Sequence, residues 1–462
     1  MLFLFIEGLS GSTSALLVFC VVAVCFFEAI NGFHDTANAV ATVIYTKTLP
    51  PVPAVIWSGF WNFLGAFLGG TAVAMGIVKL VPLNDLMAVP LAENIALVFA
   101  ILLTSIFWNL GTWYIGLPNS SSHTLIGSLL GSGLAFWSIH GGKGINWAKA
   151  QDIGLSLLIS PLFGFSMAIL LMFVLKSTIK KKLIFNEPDA KKAPPGWIRA
   201  TLIGTCTLVS YFHGNNDGQK GVGLMLVVLM GFLPLHFAFN PAVKPAELSS
   251  SLRKIESSLL SDTLKAGGQA TTLIGLANTC NSVAIQMDTV NLKDKTSVFA
   301  IRKSLQSLNE SLEASMASAV ITNQTRSAIK EELSQSKKAY EFSPFWVVLV
   351  ISICLGAGTM VGWKRIVVTI GEKIGKTHLT YAQGASAEIC AAATIGVSSW
   401  FGLPVSTTHV LSSGVAGAMV AQGGVGNLRK KTVNNIALAW ILTLPVTMVM
   451  SALLFYLFRL IF

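Results

Sequence analysis

The chain has 462 residues, 53% of them hydrophobic and only 11% charged, with a mean hydropathy of +0.67, which places it among polytopic membrane proteins. Its net charge of +11 does not make it a nucleic-acid binder, because the basic residues fall largely in short segments flanking apolar spans, where they set membrane topology. Of six cysteines, Cys20, Cys25, Cys206, Cys354 and Cys390 lie in apolar spans and Cys280 alone lies outside; this spacing gives no disulfide framework and no CxxC metal site.

Met1 to Leu16 carry no Lys or Arg, which argues against a cleavable signal peptide. Crossing a bilayer takes about 20 mostly apolar residues, and ten segments qualify: 15–45, 52–80, 92–115, 118–138, 151–175, 198–239, 344–362, 378–401, 404–422 and 433–458. The first and sixth are too long for one simple span and carry polar residues midway, so each is expected to be a broken helix. Three basic clusters orient the chain: Lys176, Lys180, Lys181, Lys182, Lys191, Lys192 and Arg199; Lys364, Arg365, Lys373 and Lys376; and Arg429-Lys430-Lys431. Ten crossings from an outside N-terminus put all three in the cytoplasm. The fourth and ninth segments could instead be re-entrant hairpins, which changes the count without moving the site.

The fourth segment opens with Leu117-Pro118-Asn119-Ser120-Ser121-Ser122-His123, and the ninth with Leu403-Pro404-Val405-Ser406-Thr407-Thr408-His409. Proline and hydroxyl residues at a helix start, together with the free N–H groups of the first turn, make an anion-binding arrangement at the positive end of the helix dipole. A second motif is also duplicated. The first segment carries Asn31-Gly32-Phe33-His34-Asp35-Thr36-Ala37-Asn38, and the sixth carries His213-Gly214-Asn215-Asn216-Asp217-Gly218-Gln219-Lys220. Five spans per half is an odd number, so the halves are expected to be inverted repeats, a usual build of secondary transporters.

The segment 240–343 is rich in Ser, Lys and Glu and has no spanning run. Leu248, Leu252, Ile255 and Leu259, then Ile301, Leu305, Leu308, Leu312 and Met316, recur at helical spacing. They predict a soluble helical hairpin on the outer face, read as a self-packed insertion rather than a docking module. The domain plan is therefore a first transmembrane repeat over 1–175, a basic cytoplasmic linker over 176–197, the start of the second repeat over 198–239, the insertion over 240–343, and the remainder of the second repeat over 344–462.

An Asp inside a span costs roughly 2.5–3.5 kcal/mol on insertion scales, so intramembrane acids are functional by default. Asp35 and Asp217 stand first, with Glu388 in the eighth span as a third, its nearest counterpart in the second span being Asn62. His34, His123, His213 and His409 are ranked below the acids, as hydrogen-bonded spacers before metal ligands or proton carriers.

Together, Gly32-Phe33-His34-Asp35-Thr36-Ala37-Asn38-Ala39-Val40-Ala41-Thr42, Pro118-Asn119-Ser120-Ser121-Ser122-His123, His213-Gly214-Asn215-Asn216-Asp217-Gly218-Gln219-Lys220-Gly221 and Pro404-Val405-Ser406-Thr407-Thr408-His409 resemble the inorganic phosphate transporter family, most closely its bacterial low-affinity (Pit) branch. The resemblance covers both membrane halves. It implies an all-α transporter with two inverted repeats of about five segments each, broken or re-entrant at the midplane. Phosphate would be held by Ser120, Ser121, Ser122, Asn38, Asn216, Ser406, Thr407 and Thr408. Sodium-coupled members resemble Asp-x-x-Asn in both halves, whereas the second copy here ends in Lys220, and they tend to carry Glu where this chain has Asn62. Those departures weaken the expectation of sodium coupling. The insertion 240–343 is matched by the bacterial branch.

The residues support the same chemistry directly. A phosphate dianion must exchange its hydration shell for donors, and six hydroxyls, two helix N-termini and Lys220 supply them. Asp35, Asp217 and Glu388 are the expected coupling-ion residues, because an acid repels the dianion unless it is protonated or bridged by a cation. Lys220, one turn from Asp217, disfavours sodium there and favours proton symport, with Asp35 as the better proton carrier. Phosphate entering as a neutral divalent-metal complex is implied by the bacterial branch. The expected protein is a multi-pass phosphate importer of the cytoplasmic (inner) membrane. It is not an enzyme and has no resident cofactor; protons, sodium or a divalent metal travel with substrate. No metal-ligand set is assigned, and its partners are phosphate, divalent metal ions and lipid, with a homo-oligomer left open. Sulfate is the rival tetrahedral anion, and sodium the rival coupling ion. A channel or a membrane-embedded Ser-His-Asp hydrolase accounts less well for the duplication of every polar motif.

Overall fold

The structure, a computed structural model, describes residues 9–81, 89–141, 144–189, 192–234, 236–263, 270–292, 294–316 and 321–462; Lys191 of the basic linker lies outside them. These residues form two compact units, one reaching to Gly231 and resuming over Ser343–Phe462, the other Phe232–Phe342. Both are helical, and among the described residues the only β pairing is an isolated bridge between Gly375 and Leu428.

The larger unit holds α1 (Gly11–Tyr45), α2 (Pro51–Leu68), α3 (Ala72–Val78), α4 (Leu91–Tyr114), α5 (Ser121–His140), α6 (Trp147–Thr178) and α7 (Gly196–Phe232). The smaller unit supplies α8 (Pro245–Thr263), α9 (Ala270–Thr289), α10 (Lys295–Met316) and α11 (Asn323–Lys337). The larger then resumes with α12 (Phe345–Thr359), α13 (Lys364–Val368), α14 (Tyr381–Trp400), α15 (Thr407–Gly423) and α16 (Lys430–Arg459). Among the described residues five helices, α1, α2, α4, α6 and α16, are long and apolar enough to cross a membrane. A sixth span results if α12 and the segment 364–373, bent by 55°, are taken together. The helices that carry most of the polar motifs, α5, α7, α14 and α15, are not among them.

The first and sixth segments are not broken. α1 runs for 35 residues through Asn31–Asn38, and α7 for 37 through His213–Lys220. Their glycines serve close packing instead of a break. A Cβ at Gly32 would strike the carbonyl oxygen of Leu355, and one at Gly214 the carbonyl oxygen of Asn62. Helix backbones approach this closely only where side chains are minimal.

The interruptions fall at the two hydroxyl motifs. α4 ends with Gly116 at φ +71°, where Gly116 N–H donates to Trp113 and Leu117 N–H to Thr112. α14 ends the same way, with Gly402 at φ +66°, Gly402 N–H on Ser399 and Leu403 N–H on Ser398. This double bond around a left-handed glycine is the Schellman stop. A short extended stretch follows each, then the N-cap of α5 or α15.

α5 packs along α16, and α15 along α6. The contacts are backbone-close: a Cβ at Gly127 would strike the Thr447 hydroxyl, at Gly131 the Met448 carbonyl, and at Gly417 the Phe165 carbonyl. α6 and α16 each carry an internal proline, Pro161 and Pro445.

Among its described residues the smaller unit has four helices where a hairpin was expected. The α8 stripe (Leu248, Leu252, Ile255, Leu259) and the α10 stripe (Ile301, Leu305, Leu308, Leu312) share a core with Leu273, Ala277, Cys280 and Ala284 of α9 and Ile329 and Leu333 of α11. Two amphipathic helices of this length expose one apolar face each, and the added pair covers them.

Candidate functional site

Ser120 and Ser406 stand at the N-caps of α5 and α15. Each hydroxyl accepts the N–H three residues on, from His123 at 3.1 Å and from His409 at 3.2 Å, so these oxygens are spent on the helix ends. Ser121, Ser122, Thr407 and Thr408 follow in the first turns, all buried. The four reach one place beside α1 and α7.

At that place lie both duplicated acids. Oδ2 of Asp35 accepts from Ser121 and from Thr407, each at 3.4 Å, and Oδ1 accepts from Thr408. Ser121 is also 3.4 Å from Oδ2 of Asp217, so one hydroxyl serves two carboxylates. Between them stands His213, with Nε2 3.6 Å from Asp35 Oδ2 and 3.7 Å from Asp217 Oδ2. Its Nδ1 is 2.6 Å from Asn62 Oδ1. A carbonyl oxygen accepts only, so Nδ1 carries the proton and, in the neutral ring, Nε2 turns a lone pair toward the two acids. Asp35, His213 and Asp217 are buried, with one donor atom each inside a 4.8 Å cluster. Two carboxylates and an imidazole nitrogen are a donor set for a proton or for a metal cation.

Lys220 neutralises one side of this cluster. Its Nζ is 2.7 Å from Asp217 Oδ1, donates to the carbonyl oxygen of Val405 at 2.8 Å, and also reaches the Ser122 hydroxyl. Ser122 donates in turn to the same carbonyl at 2.7 Å. Asn216 braces this extended stretch: its amide donates to Ser399 at 2.9 Å and to the Leu403 carbonyl at 3.2 Å, and it accepts the Val405 N–H at 3.2 Å. In the other half Asn38 donates to Thr408 at 3.2 Å, while its buried Oδ1 has no hydrogen-bond partner among the described residues.

The remaining sequence candidates lie apart. Glu388 on α14 accepts from Thr205 of α7, twelve residues before Asp217, and is not part of the central cluster. Asn62, its supposed counterpart, holds His213 instead. His123 and His409 meet as tilted rings with centroids 4.5 Å apart, and His409 stacks on Trp440 at 3.9 Å, which makes them packing groups between α5, α15 and α16. His34 approaches Asp35 Oδ1 at 3.5 Å from beside Thr112. The central place of His213, and the backbone carbonyl of Val405 as a ligand for Lys220, were not singled out from the sequence. Duplication points to neither, because the place of His213 is taken in the first half by Asn31, and His34 answers to Asn216.

Duplicated hydroxyl helices around a buried acid pair place donors suited to an oxyanion beside acceptors suited to a cation. A profile of the phosphate transporter family matches residues 31–451. The chain belongs to that family. It is 41% identical to the low-affinity inorganic phosphate transporter of Buchnera aphidicola subsp. Acyrthosiphon pisum, over 97% of each chain. It is 39% identical to the low-affinity inorganic phosphate transporter PitA of Escherichia coli K12, over 99% of each. A solved structure described as the sodium-dependent phosphate transporter superposes with a TM-score of 0.55 at 20% identity, covering 97% of this chain and 100% of that one. The protein is thus a multi-pass membrane phosphate transporter and not an enzyme.

Proposed function

We propose that the protein imports inorganic phosphate across the bacterial inner membrane by proton symport, with a divalent metal able to accompany phosphate as a neutral complex. One observation carries this reading: the hydroxyls suited to phosphate, those of Ser121, Thr407 and Thr408, donate to the Asp35 and Asp217 carboxylates. Phosphate and Asp35 compete for the same donors. When phosphate takes them, the carboxylates lose hydrogen bonds and face a dianion in a buried site, a cost of several kcal/mol unless positive charge arrives with it. Cation entry and phosphate entry are thereby coupled. Asp35, His213 and Asp217 offer the place for that charge, as protons or as a metal ion carried as cargo.

Lys220 supports protons over sodium. Its ammonium contacts Asp217, Ser122 and the Val405 carbonyl, three oxygens that would otherwise suit a hard cation. The matching corner in the first half has neutral Asn38. The local likeness of the two halves supports an inverted-repeat transporter: paired Schellman stops, paired Ser caps, and α5–α16 answered by α15–α6.

The deciding measurement is phosphate uptake into proteoliposomes holding the full chain. Accumulation should follow an imposed pH gradient without sodium and rise when a divalent metal is added. Uptake that needs a sodium gradient and ignores the pH gradient overturns proton coupling. Sulfate accumulation equal to phosphate accumulation overturns the substrate assignment.

A further inference from the structure

α1 carries another buried acid that belongs to no duplicated motif. Glu28 is fully buried two helical turns before Asp35, about 10 Å along the axis. Its Oε1 accepts weakly from Asn31 at 3.5 Å, and its Oε2 has no hydrogen-bond partner among the described residues. The position is held open for it: a Cβ on Gly221 of α7 would strike Oε2. Gly221 is one turn past Asp217, about 6 Å along α7. The ionisable groups that act on Glu28 are Asp217 and Lys220 of α7 and Cys25 of α1, with the free thiol of Cys354 of α12 hydrogen-bonded to that of Cys25. The only cation among them, Lys220, is already paired with Asp217.

Glu388 forms the other end of a series. It too is fully buried, with Oε1 unpartnered, and it lies against Thr42 of α1 as well as Thr205. Thr42 is seven residues past Asp35, the spacing by which Glu28 precedes it. Along α1 the order is therefore acid, central cluster, acid, at about 10 Å intervals. Among the described residues, each outer acid has a free oxygen and no cation of its own. An unpaired charge in such surroundings is costly, and a proton on the free oxygen removes it.

We propose that Glu28 is a proton-binding station of the transport cycle, lying across the Asp35–Asp217 cluster from Glu388. This rests on the proton-coupled reading above. The proton leaves the Glu28 carboxyl for a carboxylate of the cluster, across a gap that one water or a swing of the side chain bridges. Glu28 is left ionised until solvent on its side of the membrane returns a proton, and no other reactant is required. Cluster and station then load and unload in turn.

The test compares wild type, Glu28→Gln and Glu28→Asp, each as the full chain in proteoliposomes, by pH-gradient-driven uptake and by phosphate–phosphate exchange, which moves no net proton. Glu28→Gln should lose gradient-driven accumulation by roughly tenfold or more and flatten its pH profile, while exchange stays near wild type. Glu28→Asp should restore accumulation with a displaced pH midpoint. Accumulation by Glu28→Gln with the wild-type pH profile overturns the proposal, and so does equal loss of exchange in both variants, which marks a packing role. Wild type is its own control: if it ignores the pH gradient, proton coupling fails first and Glu28 falls with it.

Discussion

The ammonium of Lys220 lies 2.7 Å from the Asp217 carboxylate, one helical turn away and as deeply buried. A buried pair of this kind fixes a positive charge where a mobile ion could otherwise sit, and removing one partner leaves the other uncompensated. Replacing Lys220 by Asn would give both halves the Asp-x-x-Asn pattern. Lys220→Asn should weaken phosphate binding, and a sodium gradient at fixed pH should begin to drive uptake. Unchanged indifference to sodium would show that the lysine does not set the ion.

Ser121→Ala and Thr407→Ala each remove a donor from the shared point. Phosphate binding measured by calorimetry should weaken by about 1–3 kcal/mol in each. Ser121 also bridges the two acids, so its loss should be the larger of the two. Full affinity in either variant would place phosphate elsewhere.

Asp35→Asn keeps the shape of the acceptor and removes the charge. Accumulation driven by a pH gradient should vanish, while some exchange of bound phosphate persists. Retained accumulation would show that Asp35 is not the proton carrier of the central cluster.

Gly32→Ala and Gly214→Ala would push a methyl group into the backbones of α12 and α2. Overpacking of this kind costs about 1–3 kcal/mol, and detergent melting should report it. A neutral result would mean that these helices are free to separate.

Sidedness can be read from the smaller unit. Cys280 is fully buried, and burial pushes its thiol up to about 12, so it should resist thiol reagents from either side. Ser334 is exposed on α11. Ser334→Cys should react with a membrane-impermeant maleimide in intact spheroplasts, as ten crossings from an outside N-terminus require. Reaction only after the inner face is opened would invert the topology.

Much of the centre was legible because it is written twice. Asp35 with Asp217, and Ser121 with Thr407, stand out against an apolar background in which a single polar residue means little. Glu28 escaped notice because its place in the second half, seven residues before Asp217, is taken by Ser210. The expected breaks in α1 and α7 failed for a different reason. Glycine beside polar residues reads as a helix stop, yet Gly32 and Gly214 are minimal contacts between helices, and only the partner backbone reveals that. α9 and α11 were missed because the α9 stripe is built largely of small residues, Ala277, Cys280 and Ala284, and α11 supplies only Ile329 and Leu333, to a core that α8 and α10 begin.

The glycine contacts of α5 and α15 also bear on how the protein can move. α5 belongs to the first half of the sequence but is pressed backbone to backbone on α16, from the second. α15 belongs to the second half and is pressed on α6, from the first. Contacts that close slide poorly, so each hydroxyl cluster is carried by a helix from the opposite half. The two packed bodies, α5 with α16 and α15 with α6, are thus interleaved between the halves: a displacement of α16 would bring Ser121 with it, and a displacement of α6 would bring Thr407. Substrate oxygens held by both would register any relative shift of the two bodies at once.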